Sequence, residues 1–71
     1  MTFQLYTGPP ALSPGDPAYL EIQQLQAKVD ALSPTDQNNC EALLESWGWK
    51  PTINPSPMIR LILRALNAVG P

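Results

Sequence analysis

Three capping residues that stand directly before a proline are placed to start helices: Asp16-Pro17, Ser33-Pro34 and Ser56-Pro57. An Asp or Ser oxygen accepts from the free N–H groups of a first helical turn. Proline suits the first helical position, because its missing N–H would have no partner there. Each pair therefore marks a helix start. A helix beginning earlier, at Ser13, would place Pro17 where its ring meets the preceding turn, so Asp16 is the cap. In the second pair, Asp36 follows Ser33 by three residues, the spacing of a capping box. Ala11-Leu12-Ser13-Pro14-Gly15-Asp16 resembles Ala31-Leu32-Ser33-Pro34-Thr35-Asp36, but two short copies are turn and cap chemistry rather than a solenoid repeat.

The apolar spacing after each start is helical. Helix 1 is expected over about 17–32, with Ile22, Leu25, Val29 and Leu32 on one face and Gln23, Gln24, Gln26, Lys28 and Asp30 filling the rest. Helix 2 is expected over about 34–47. Cys40, Leu43, Leu44 and Trp47 form its face, Gln37, Glu41 and Glu45 lie outside, and Asn38 and Asn39 weaken its first turn. Gly48 is placed to end it in a left-handed conformation. Pro51 and Pro55 stiffen the following loop. Helix 3 is expected over about 57–69, terminated by Gly70 and Pro71.

Residues 1–16 read differently. Thr2 to Thr7 alternate, with Phe3 and Leu5 on one side and Gln4 and Tyr6 on the other, until Gly8-Pro9-Pro10. A lone strand has no ladder to join in a helical protein. The segment is an extended arm that either packs Phe3 and Leu5 on its own helices or pairs with a partner. The expected architecture is all-α: an N-terminal arm over 1–16 and a three-helix domain over 17–71.

Helix 3 carries the strongest functional signal. Its polar positions, Arg60, Arg64 and Asn67, occupy an arc of roughly 60°. Met58, Ile62, Leu66 and Val69 make the core stripe. Leu61 flanks it with Ala65 and Ala68 on one side, and Ile59 and Leu63 flank it on the other. Two other helices cannot cover this whole circumference, so Leu61 or Leu63 should face solvent unless the arm or a partner covers it. The helix is then the wrapped centre of the bundle, a helix shared with a protein interface, or a membrane-surface helix. Two arginines give the last reading little attraction to anionic lipid. Arg60 and Arg64 match the spacing of Glu41 and Glu45, which suggests an exposed ion-pair ladder or, alternatively, contacts to a partner's carboxylates. Trp47 is assigned to the core by its periodicity. Trp49, just past the helix, is a core-edge residue or a binding anchor. Cys40 is a small buried hydrophobe.

Composition narrows the function classes. The chain has 71 residues, no histidine and one cysteine. No Ser-His or Cys-His nucleophile can be assembled, no internal disulfide can close, and no metal-ligand pattern is present, so neither cofactor nor metal is expected. Four Lys plus Arg cannot track a phosphate backbone, which argues against nucleic acid. The N-terminus lacks a secretory signal pattern and no stretch is long enough for a membrane span. Charged residues are 14% of the chain, well below the usual quarter, which suggests that part of the surface is covered.

These features point to a non-enzymatic protein–protein interaction or assembly component, cytoplasmic or incorporated in a larger assembly. Its protein partner would be either itself or another chain, with no small-molecule substrate. The docking residues expected are Phe3, Leu5, Tyr6, Trp49, Ile59, Leu61 and Leu63, with Arg60 and Arg64 as orienting charges. The alternative is a small regulator or inhibitor that binds one protein transiently.

Overall fold

The first two cap–proline pairs start helices where the sequence places them. In the computed structural model, which describes residues 3–9 and 11–70, α1 spans Pro17–Asp30 and α2 spans Pro34–Ser46. Asp16 Oδ1 accepts from Ala18 N–H at 2.9 Å, and Ser33 Oγ accepts from Asp36 N–H at 3.2 Å. Each such cap contributes on the order of 1 kcal/mol.

The third start differs. Ser56–Met58 form a single 3₁₀ turn, and α3 proper spans Ile59–Val69. Ser56 does not cap it. Asn54 supplies the side-chain oxygen instead, accepting from Ser56 N–H at 3.0 Å in a local Asx turn. At the far end, Gly70 N–H closes α3 on the Leu66 carbonyl at 2.8 Å. The expected contribution of Pro71 to that stop lies outside the described residues, as does that of Pro10 to the end of the arm.

Helix α1 is two residues shorter than expected. Ser33 is already extended, as a residue before proline prefers, so the helix must stop ahead of it. Gln37 then completes the junction. Its Nε2 donates to the carbonyls of Leu32 at 3.1 Å and Val29 at 3.2 Å, with Asp30 more distant at 3.5 Å. The side chain is buried, not outside as its polarity suggests. It anchors the first turn of α2 to the last turn of α1, and α2 is helical from Pro34 despite Asn38 and Asn39.

The end of α2 is a Schellman motif. Gly48 takes φ +91°, its N–H donates to the Glu45 carbonyl at 3.1 Å, and Trp49 N–H donates to the Leu44 carbonyl at 2.9 Å. The motif reverses the chain and turns Trp49 back over Leu44.

Helix α3 packs on both α1 and α2. The core gathers Ile22, Leu25 and Val29 from α1, Cys40 and Leu44 from α2, and Ile62, Ala65 and Leu66 from α3, closed by Leu5 and Trp49. The arm therefore lies on its own domain. The Cα radius of gyration, 11.3 Å, agrees with the roughly 11 Å expected of a fully folded chain of this length.

Candidate functional site

The proposed docking residues separate into two groups. The arm residues turn inward. Leu5 is 1% exposed and Trp49 3% exposed, so both belong to the chain's own core and neither is presented to a partner while the arm is docked. The sequence signal for Trp49 is ambiguous because a residue past a helix end has no periodicity. The Schellman motif decides its direction, since the residue after a left-handed glycine packs back on the last helical turn. Phe3 is half-buried and meets Trp49 edge-on, with centroids 5.7 Å apart and planes at 78°. Tyr6 is also half-buried. It lines an open groove of about 290 Å³ between the arm and α1, together with Leu12, Tyr19, Gln23 and Gln26.

Gln26, which pattern alone leaves on a polar flank, holds the arm. Its Nε2 donates to the Phe3 carbonyl at 2.9 Å, and its Oε1 accepts from Leu5 N–H at 2.9 Å. The same Nε2 also donates to Asp30 Oδ1 at 3.1 Å. Further along, Thr7 N–H donates to the Pro51 carbonyl at 2.8 Å. Leu5 burial adds about 1.5–3 kcal/mol to this polar registration.

The α3 residues stay nearer the surface. Ile59 and Leu61 are half-buried, whereas Leu63 is 40% exposed. Ile59 and Leu63 are one turn apart and share a flank, while Leu61 lies about 200° from Leu63 around the helix. Ile59 and Leu63 form one wall of an open groove of about 270 Å³. The opposite wall comes from α1, with Leu25 at its base and Glu21, Gln24 and Lys28 along its rim. Leu20, 60% exposed, stands on the outward side of the same helix. The sequence pattern does not single out the α1 wall, because Glu21, Gln24 and Lys28 look like an ordinary solvated face.

Arg60 and Arg64 are both exposed. The guanidinium of Arg64 lies 5.1 Å from the ring centroid of Trp47, a cation–π stack at the α2–α3 junction. The anticipated ladder to Glu41 and Glu45 is not formed among the described residues. An aromatic face beside a helix end competes well with exposed carboxylates, whose pairing stabilises little in water. Trp47 is accordingly half-buried at the core margin.

Cys40 is fully buried, and no bond joins it to another cysteine. Burial pushes its thiol above the usual range, with the Glu41 carboxylate adding to the effect. A thiol held protonated in an apolar setting is a poor nucleophile. Among the described residues, no group of three or more His, Cys, Asp or Glu side chains is placed to hold a metal ion, and no helix is long and apolar enough to cross a membrane.

No family model matches this chain, and no curated protein or solved structure is significantly similar to it.

Proposed function

We infer that the chain is a non-enzymatic protein–protein interaction module, docking through the outer flank of α3 and the groove that flank forms with α1. The observation that carries this reading is the placement of Leu63. It is a large apolar residue 40% exposed, beside half-buried Ile59 and over Leu25, in a cleft with a charged and amide rim. Apolar floor and polar rim are the usual anatomy of a protein interface. Arg60 extends the rim from α3. Arg64 does not line this groove and is engaged with Trp47. With Leu5 and Trp49 committed to the core, and with Phe3, Tyr6 and Leu61 not lining this groove, the docking set narrows to Ile59 and Leu63, joined by Glu21, Gln24 and Lys28, with exposed Arg60 and Arg64 beyond its edge as orienting charges.

A photo-crosslinking amino acid placed at Leu63, in cells that produce the protein, tests the reading. Discrete protein adducts are expected from position 63 and not from exposed Asn38 on α2. Adducts from position 63 should vanish when Ile59→Asp is added to a chain that keeps its helical circular dichroism. Equal, diffuse labelling from positions 63 and 38 would refute the docking surface.

A further inference from the structure

Residues 3–7 are held as a bound peptide is held. The Gln26 carboxamide bonds the backbone of an extended segment at two points, the Phe3 carbonyl and the Leu5 N–H, each at 2.9 Å. A single side chain thus performs the pairing that a neighbouring strand would otherwise supply. The Pro51 carbonyl takes the Thr7 N–H at 2.8 Å. Between these bonds, Leu5 enters the closed core and Phe3 rests edge-on against Trp49. The requirements are an extended backbone and two apolar side chains two residues apart. Nothing in them requires the segment to be joined to the α1 it sits on.

Nine residues, 8–16, separate Thr7 from α1, and those described contain no helix or strand. Extended, they reach at most about 30 Å. That is close to the longest dimension of the chain, 32 Å, so a released arm can cross to a neighbouring copy.

We propose that the slot formed by Gln26, Trp49 and Pro51 is an acceptor site for an extended apolar segment, and that its ligand in trans is residues 3–7 of a second copy. The contacts argue for that occupant. An exchanged arm regains every hydrogen bond and apolar contact it gave up, so exchange costs mainly the entropy of association. A short tether gives the arm in cis an effective concentration on the order of millimolar. Docking in cis therefore dominates in dilute solution, and exchange appears once copies are concentrated or held side by side. The site is separate from the α3 surface and does not rest on it.

Complementation between full-length chains tests the proposal. One chain carries Leu5→Asp, which disables its arm and leaves its slot intact. The other carries Gln26→Ala, which weakens its slot and leaves its arm intact. Sedimentation velocity on the separate chains should give monomers, and the mixture a one-to-one complex at about 0.5 mM, the concentration scale set by the tether. Placing Leu5→Asp on both chains should weaken that complex at least tenfold, and adding Leu63→Asp to both should leave it unchanged. If Leu5→Asp loses the helical circular dichroism signal, Phe3→Ser at the half-buried position replaces it. A mixture of folded chains that sediments as the sum of two monomers would overturn the proposal. So would a complex that Leu63→Asp abolishes, since that complex would form through α3.

Discussion

Replacing Gln37 by Met keeps the length and flexibility of the side chain and removes both amide hydrogens. The Nε2 group donates to the carbonyls of Leu32 at 3.1 Å, in a part-buried bond, and of Val29 at 3.2 Å, in a buried one. Val29 also accepts from Leu32 N–H at 3.0 Å, so its carbonyl keeps a partner. The Leu32 carbonyl loses the amide donor. One net hydrogen bond contributes about 1 kcal/mol, and because the Leu32 acceptor is only part-buried its orphaning costs no more than the low end of about 1–3 kcal/mol. Allowing for the small gain from burying a thioether, the variant should lose about 1–2 kcal/mol. A chain of this size has only about 4–10 kcal/mol of stability in total. At roughly 4–8 °C per kcal/mol, the thermal midpoint should fall by about 5–15 °C.

Denaturant unfolding followed by far-ultraviolet circular dichroism measures the free-energy difference, provided that the slope of the transition is unchanged. Gln37→Glu adds a second, signed test. A carboxylate facing carbonyl oxygens in a buried junction is disfavoured, which raises its pKa in the folded state above the unfolded value near 4.3. Between those two values the folded state binds more protons, so stability falls as pH rises through that window. Relative to the natural chain, Gln37→Glu should therefore lose little at about pH 3.5 and much more at about pH 7. Gln37→Met should show an equal loss at both. A Gln37→Met chain within about 0.5 kcal/mol of the natural one would refute the reasoning, because water would then be satisfying the junction.

Two further outcomes follow from the end of α2 and from the core. Gly48 has φ +91°, and a Cβ at this position would meet nothing within 4 Å, so Gly48→Ala should cost about 1–2 kcal/mol through backbone conformation alone. Gly48→Asn should cost less, and equal costs for the two variants in denaturant unfolding would contradict the left-handed assignment. The Cys40 thiol should react with a disulfide reagent only as fast as the chain opens, in line with its burial and raised pKa. Because the folded state holds the thiol proton more tightly, stability should be level at neutral pH and decline as pH rises past the ordinary thiol range. A natural chain that reacts as fast as its denaturant-unfolded form would contradict the core placement of Cys40.

Much of the architecture is readable because cap chemistry and apolar period agree. Asp16-Pro17 and Ser33-Pro34 give the helix starts, and Val29, Leu44 and Ile62 fall on the expected buried faces. Ser56-Pro57 misleads for a local reason: Asn54 stands two residues before Ser56 and draws its N–H into an Asx turn, and the segment starts as a 3₁₀ turn with no side-chain cap. The two glutamines are the deeper failure. A hydrophobic pattern sorts Gln26 and Gln37 to the surface, yet each carries a carboxamide with the same donors and acceptors as a peptide unit. Where irregular backbone meets a helix, as at Phe3–Leu5 and at Val29–Leu32, a carboxamide satisfies groups that no ladder reaches. The destination of Trp49 is open to a different signal, since glycine at a helix end followed by a large apolar residue is the pattern of a Schellman contact. For the docking surface, the sequence locates Leu63 on α3, but the facing wall on α1 depends on how the two helices cross.

The bond from Thr7 to the Pro51 carbonyl joins residues 44 positions apart. During translation, at roughly 5–20 residues per second, the arm is therefore outside the ribosome for seconds before its Pro51 anchor exists. The junction between α1 and α2, with its cap and its glutamine, can be completed in that interval from neighbouring residues alone. Leu5 and Phe3 remain without their seat until the loop after Trp49 has emerged. On a polysome, where nascent copies crowd together, this order of birth gives an arm time to meet a finished neighbour before its own slot is made.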